Sequence, residues 1–526
     1  MGHASVFSQP ADRRMKSVFE WLSERPFLTS RPWLILGKGP SFSKLSRFDT
    51  AAFSSLALND AAREARVDIA HAIDIQVIER SGDAIAANAG VLVMPWHPHV
   101  NFNAGAATLE EQARTLTVLK RLDDEGRLLW YNLSTTNSHF PGSPVVSARF
   151  FSAEAAINLL ATAGVRKIRS LGVDGGATYS ASFRDLNSKS LLANGRPNFD
   201  KQFEEIATTI MRTGLDFGPL DMDCPAKIYV AATEAQMLSV KVLEYSVRKH
   251  ASLSVQVFPM HEAPISIPLP KAKENLPRTP FSFQRFLIPA LAGRKGRALY
   301  LDSDMQVFQD IRHLWALPFD EADVLTVGDT SGTGRRPQFS VMLLDCAALD
   351  WDIGELVKRL DEGSLTYEAL VYEMKAARTV QASIPPQWNS LEDYRPGETA
   401  LLHYTDMHTQ PWVHAENPNG HLWVRDLREA IEGGFIGIDY VGEHIKRGWV
   451  RPSLLWQIEH GKDDGRKLSR SARKLDSSFR APYLALQHQS ASSNVDQARI
   501  SSLARFYRRS PLYRLQQFIG ARMIRR

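Results

Sequence analysis

The chain has 526 residues, 44% hydrophobic and 23% charged, which is too long for one ordinary core and typical of a soluble globular protein of two or three domains. Two cysteines, Cys224 and Cys346, exclude a disulfide framework or a thiolate metal cluster and fit a reducing compartment. The formal net charge of +5 hides an asymmetry: residues 466–526 hold fourteen Lys/Arg against Asp476 and Asp496, a local +12 that leaves −7 for the rest. Arg13, Arg14 and Lys16 precede no continuous apolar run, so no signal peptide is expected. No stretch of about twenty apolar residues occurs, so no spanning helix is expected, and the location implied is cytoplasmic.

Residues 1–30 read as an irregular lead-in with one short helix around Met15 to Ser23. Trp33 to Leu36 is a buried strand, followed by Gly37-Lys38-Gly39-Pro40-Ser41. A glycine-rich turn straight after a first strand lets backbone N–H groups approach a phosphate, although a tight strand-to-helix turn has the same composition. Phe53 to Leu58 is a second strand ending at Asn59-Asp60. Val67 to Ile73 is a third, ending at Asp74, and Gly90 to Met94 a fourth, ending at Pro95. Ala153 to Ala163 has the pattern of an amphipathic helix, and the strand from Ile168 runs out at Asp174-Gly175-Gly176. Strands alternating with helices, with polar residues at their carboxyl ends, predict a parallel doubly wound sheet over 31–220. His97, His99 and His139 are candidates for a general base by residue type only.

The Gly37–Ser41 turn, Asn59, Ser147 and the Leu171–Asp174 strand end resemble a bacterial sialyltransferase-like Rossmann family shared with pterin-pyrophosphokinase-like proteins. That resemblance spans roughly 32–215. It implies a nucleotide or nucleotide-sugar held near Gly37, Gly39, Ser41, Asn59 and Asp174.

Leu215 to Asp223, with Gly218-Pro219, reads as a linker. A new alternation then runs over 225–460. Lys227 to Thr233 is a strand, Gln236 to Arg248 an amphipathic helix, and Leu253 to Phe258 the next strand. Six prolines between 259 and 280 mark an irregular loop. Ala298 to Leu301 is a buried strand ending in Asp302-Ser303-Asp304. Two carboxylates one residue apart repel each other and are costly to desolvate; a divalent cation with hard oxygen ligands, Mn²⁺ or Mg²⁺, relieves that cost and leaves positions open for a diphosphate. An acidic turn after a strand has the same local sequence. Ala322 to Val327 and Gln338 to Asp345 follow as strands, then a helical region over Trp351–Ala377. Next come Pro385-Pro386-Gln387-Trp388-Asn389 and the block from Leu401 through His403, Asp406, His408 and Gln410 to Trp412.

The Thr233 strand end, Arg285, Leu301-Asp302-Ser303-Asp304, the Gln338–Asp345 strand and the His403…Pro411-Trp412 block resemble, in order and spacing, the family 8 glycosyltransferases of the GT-A fold. The expected architecture is therefore α/β: two Rossmann-like domains, the second of GT-A type, with a basic helical tail. The resemblance implies a nucleotide-sugar donor, usually a UDP-sugar, a divalent cation, usually Mn²⁺, and transfer with retention of configuration. Carried over singly, Asp302, Asp304 and His403 would ligate the metal. Thr233 would contact the nucleoside and Arg285 would steady the donor, with Asp302 also at the donor side. Gln338 falls where the family carries an asparagine at the sugar. Gln410 replaces the family's diphosphate lysine, so His408 is the substitute phosphate contact. Glu368 is the nearest substitute for the catalytic carboxylate, since Thr366-Tyr367-Glu368 replaces an Asp-Gln pair.

Residues 461–526 read as a basic, partly disordered tail. From Leu503 to Arg526 aromatics alternate with seven arginines, the composition of an amphipathic helix at an anionic membrane surface. No nucleic-acid module is recognisable. The function implied is a transferase building a surface glycan such as lipopolysaccharide or capsule on a glycan or glycolipid acceptor. A bifunctional enzyme with a second site in the N-terminal domain, and a non-catalytic scaffold, are the alternatives.

Overall fold

The computed structural model describes residues 14–136, 138–186, 196–328 and 339–482. The chain divides into two compact units between His403 and Tyr404. In the first unit β1 (Trp33–Leu36), β2 (Ser54–Leu58), β3 (Val67–His71), β4 (Ala89–Pro95), β5 (Leu128–Leu133), β6 (Val145–Val146), β7 (Lys167–Leu171) and β8 (Asp216–Pro219) form one sheet. Its order is β8-β7-β1-β2-β3-β4-β5-β6 and every pairing is parallel. The near-continuous apolar strands follow from this: both faces of a parallel sheet are covered, so Trp33 to Leu36 are all buried. Strand order reverses between β1 and β7, which places the turns after these two strands side by side.

Two expectations change here. The segment read as a linker contains β8, an edge strand whose Phe217 exchanges hydrogen bonds with Ser254 at the start of the second alternation. Pro219 is tolerated because an edge strand has ladder positions that need no N–H donor. The helix Ser152–Thr162 is buried from Ala153 through Ala161 rather than on one stripe. Its polar residues are satisfied inside: Asn158 accepts from Ser147 N at 2.9 Å and donates to Thr209 Oγ1 at 3.2 Å. A small-residue helix against a sheet on one side and the helix Gln202–Thr213 on the other needs no solvent face.

The second sheet of this unit comprises β9 (Ala226–Ala231), β10 (Val255–Pro259), β11 (Arg297–Asp302), β13 (Val324–Val327), β14 (Val341–Asp345) and β15 (Val380–Ile384), in the order β10-β9-β11-β14-β13-β15. β9 is parallel to β10 and β11, whereas β14 runs antiparallel to both its neighbours. A small sheet of β12 (Met305–Val307), β16 (Ser390–Leu391) and β17 (Leu401–His403) lies at the exit of β11.

In the second unit the helices Gly420–Glu432, Ile438–Lys446 and Ser453–Glu459 pack around Trp423 and a fully buried Arg451. Arg451 donates to Pro411 O at 2.8 Å, to Ser453 Oγ and to Gln457 Oε1, and Ser453 donates to Asp476. Over 461–482 the basic segment is therefore tied down through Asp476, Leu468 and Ala472. Leu503 to Arg526 lies outside the described residues, as does Gln338. No helix among the described residues is long and apolar enough to cross a membrane.

Candidate functional site

β11 ends at Asp302, and Asp304 lies in the turn that follows it. Ser303 between them is buried, while Asp302 and Asp304 are half-buried. The chain then enters β12, which pairs antiparallel with β17 in the register Met305↔His403. That register delivers an imidazole from far along the sequence beside the acidic turn. One ligand atom from each of Asp302, Asp304 and His403 lies within 4.8 Å of the others.

His403 is 3% exposed, and its two nitrogens have separate duties. Nδ1 donates to Asn389 Oδ1 at 3.0 Å, and Nε2 faces Asp304 Oδ1 at 3.1 Å. Asn389 stands just before β16, which pairs parallel with β17. An amide oxygen on Nδ1 fixes the tautomer and leaves Nε2 for a proton or a cation.

The electrostatics point the same way. Burial pushes the Asp302 carboxyl up and Asp304 adds to the shift, with Arg285 and His403 opposing it; the balance stays above the ordinary value. Burial alone would push His403 down, but Asp304 and Asp302 outweigh it and hold the imidazole above its usual range. The site is short of positive charge. Tyr300, two residues before Asp302 on the same face, donates its hydroxyl to Asp302 Oδ1 at 2.7 Å. The Arg285 guanidinium lies 4.6 Å from the Tyr300 ring centroid and donates to Phe339 O at 3.1 Å. Two carboxylates and one imidazole are a donor set that fits a divalent cation.

The remaining predicted residues fall in different places. Thr233 ends the β9 segment and caps the following turn through Gln236 Oε1. Glu368 is an exposed partner of Arg278. In the second unit His408 is exposed, and Gln410 is buried with its amide donating to Tyr404 O at 3.0 Å. Asn389 and Tyr300 were present in the quoted stretches, but their roles depend on register and face, which spacing does not reveal.

In the N-terminal sheet the glycines have another use than the one the turn composition suggests. Gly37 N donates to Leu171 O and Gly39 N to Gly172 O, so these N–H groups are already engaged by the β7 turn. A Cβ on Gly37 would stand 2.2 Å from Gly172 O, and Gly172 adopts φ +81°. The glycines let two turns cross. Ser41 seals the crossing: its N and Oγ donate to the two Asp174 oxygens at 2.7 and 2.5 Å, and Oγ accepts from Gly172 N. Asn59, at φ +53°, donates to Ser152 Oγ. Gly37, Gly39, Asn59, Gly172 and Asp174 line a cavity of about 440 Å³ at the carboxyl ends of β1, β2, β3 and β7, and Ser41 does not. His97, His99 and His139 do not line it; they bond Ser138, Thr135 and Leu133 O.

At the end of β11, two carboxylates and an imidazole thus come within 4.8 Å of one another in an α/β unit, the donor set of a candidate metal site. No protein-family model matches the chain. Protein CDI of Arabidopsis thaliana is 29% identical over 105 residues, 20% of this chain and 40% of that protein, so the chain spans well under two thirds of that relative. Among solved structures, the apo-form glycosyltransferase GlyE of Streptococcus pneumoniae TIGR4 is 19% identical with a TM-score of 0.26, over 36% of this chain and 56% of its own. The bifunctional glycosyltransferase WbbM is 12% identical with a TM-score of 0.29, over 44% and 57%. An active-site mutant of LgtC is 13% identical with a TM-score of 0.26, over 38% and 95%.

Proposed function

We propose that the chain is a metal-dependent glycosyltransferase that moves a sugar from a nucleotide-sugar, UDP-linked, to a glycan or glycolipid acceptor with retention of configuration. The observation that carries the reading is the convergence of Asp302, Asp304 and His403 across the β12–β17 register. It is supported by the ordered likeness of the Thr233, Arg285, Asp302-Ser303-Asp304 and His403–Trp412 stretches to family 8 glycosyltransferases. Asp302, Asp304 and His403 would hold Mn²⁺ or Mg²⁺, which when bound neutralises a diphosphate and stabilises it as a leaving group.

The chain's own residues supply the rest. Tyr300 and Arg285 orient and balance Asp302, and Asn389 orients His403. Thr233 contacts the nucleoside. The acceptor class is a surface glycan of the lipopolysaccharide or capsule kind, reached from the cytoplasmic side, with the basic residues beyond 482 drawn to an anionic bilayer. A dead site has no electrostatic reason to keep Asp302 and Asp304 together with His403, which disfavours a scaffold.

The test is hydrolysis of a panel of UDP-, GDP- and CMP-sugars by wild type and Asp304→Ala, with and without Mn²⁺. Mn²⁺-dependent turnover of a UDP-sugar that the substitution abolishes supports the reading. Turnover indifferent to both Mn²⁺ and Asp304→Ala sinks it.

A further inference from the structure

Beside the candidate metal site stands a third carboxylate that belongs neither to the acidic turn nor to the histidine block. β16 ends at Leu391, which pairs with His403 in the parallel register of β16 and β17. The next residue, Glu392, donates its backbone N–H to His403 O at 3.1 Å. Three residues earlier, Asn389 Oδ1 accepts from His403 Nδ1. The stretch 389–392 therefore grips His403 twice, by the ring from Asn389 and by the main chain from Glu392. β12 holds the other side of the same strand through Met305↔His403.

Glu392 adopts φ +59°, the left-handed region in which a Cβ is strained and glycine is not. Strain by itself does not single it out, since Arg294, Asp320 and Glu321 also have positive φ in exposed bends and turns. Its place in the site does. Phe339, buried and at φ +50°, presents the carbonyl to which Arg285 donates. Two non-glycine residues in left-handed backbone thus hold the imidazole and the guanidinium that oppose the Asp302 and Asp304 charges. Backbone strain of this kind persists where the surrounding structure over-determines it.

The side chain of Glu392 is half-buried. Burial alone would lower the His403 imidazole, and Asp304 and Asp302, with Glu392 behind them, outweigh it. Glu392 therefore lies within electrostatic reach of the ring while standing outside the group of Asp302, Asp304 and His403 that meets within 4.8 Å. Two ionised carboxylates neutralise a divalent cation; a third beside them leaves the pocket more negative and favours the cation's capture. Carboxylates behind a ligating histidine also raise its basicity and fix its orientation.

We propose that Glu392 is a positioning residue of this site: its backbone N–H fixes the His403 strand, and its carboxylate, outside the ligand set, strengthens the hold on a divalent cation. This role rests on Asp302, Asp304 and His403 being the ligands. It assigns the left-handed backbone at 392 to cation binding rather than to folding. A strained glutamate stands where glycine would fit without strain.

The experiment is Mn²⁺ titration of the full chain by electron paramagnetic resonance, paired with thermal unfolding of the metal-free chain. Wild type is compared with Asp304→Ala, Glu392→Gln, Glu392→Asp and Glu392→Gly. Glu392→Gln should bind Mn²⁺ about tenfold more weakly, the low end of what a partner behind a ligand contributes, with its Tm unchanged. Glu392→Asp keeps the charge at a φ that aspartate tolerates, and should recover most of the affinity. Glu392→Gly should show the same loss of affinity while its metal-free Tm holds or rises as the strain is relieved. Wild-type affinity in Glu392→Gln, with Asp304→Ala still deficient, overturns the proposal and leaves the metal ligands standing. Weaker binding in Glu392→Gln with a matching fall in Tm also overturns it, because the glutamate then serves folding. Failure of wild type to bind Mn²⁺ removes the metal site itself, and the role of Glu392 with it.

Discussion

Asp304 sits one residue from Asp302 and 3.1 Å from His403, and the cost of that arrangement organises everything around it. Like charges this close in a partly desolvated turn demand a positive partner. The pair of aspartates is visible in one short stretch of sequence, and His403 in a second block, so their chemistry was open to reading. What joins them is not: only the antiparallel register of β12 and β17 makes them neighbours. Asn389 was invisible for the same reason, since its partner is fourteen residues away on the adjacent strand. Its role predicts that Asn389→Ala lowers Mn²⁺ affinity by about 10–100-fold, the usual effect of losing a partner behind a ligating histidine. Asn389→Asp, which keeps the acceptor, should retain most of that affinity. Titration by electron paramagnetic resonance would show it, and equal affinity in Asn389→Ala would rule out the orienting role.

At the scale of elements, alternation of strand and helix was readable because parallel strands are apolar throughout and end in polar turns. Two misreadings have one physical source. Local composition reports what a residue can do, not where its segment lies. Gly218-Pro219 looked like punctuation but belongs to an edge strand, and the Ala-rich helix 152–162 looked one-sided but is enclosed. The crossing of the β1 and β7 turns shows the converse, because glycine there answers to a neighbouring turn. Gly172→Ala must place a Cβ 2.3 Å from Gly37 O at φ +81°. Strain of about 1–3 kcal/mol for the backbone and a similar amount for overpacking predict a loss of roughly 2–6 kcal/mol in urea unfolding. Unchanged stability would mean the turns do not cross as described. Gly176→Ala, also at positive φ but with no atom within 4 Å of the added Cβ, should cost only the backbone part.

For the whole molecule, composition gave an α/β chain with more than one core and a charge divided between body and C-terminal end. Both large sheets lie within the unit that ends at His403, and the chain from Tyr404 forms the other. Residues 483–526 carry eight arginines and one aspartate. If this segment recruits the chain to a bilayer, the full chain should co-sediment with vesicles containing phosphatidylserine at low salt and be released as salt screens the charges. A chain ending at residue 482 should stay in the supernatant; equal sedimentation of both would remove the segment's role. The account as a whole stands on the β11 centre, and the most direct measurement is Mn²⁺ titration of the full chain by electron paramagnetic resonance with UDP present. It predicts one tightly held ion per chain, strengthened by UDP and lost in both Asp304→Ala and His403→Ala with their Tm retained. Mn²⁺ binding that is the same in wild type and in both variants would contradict it.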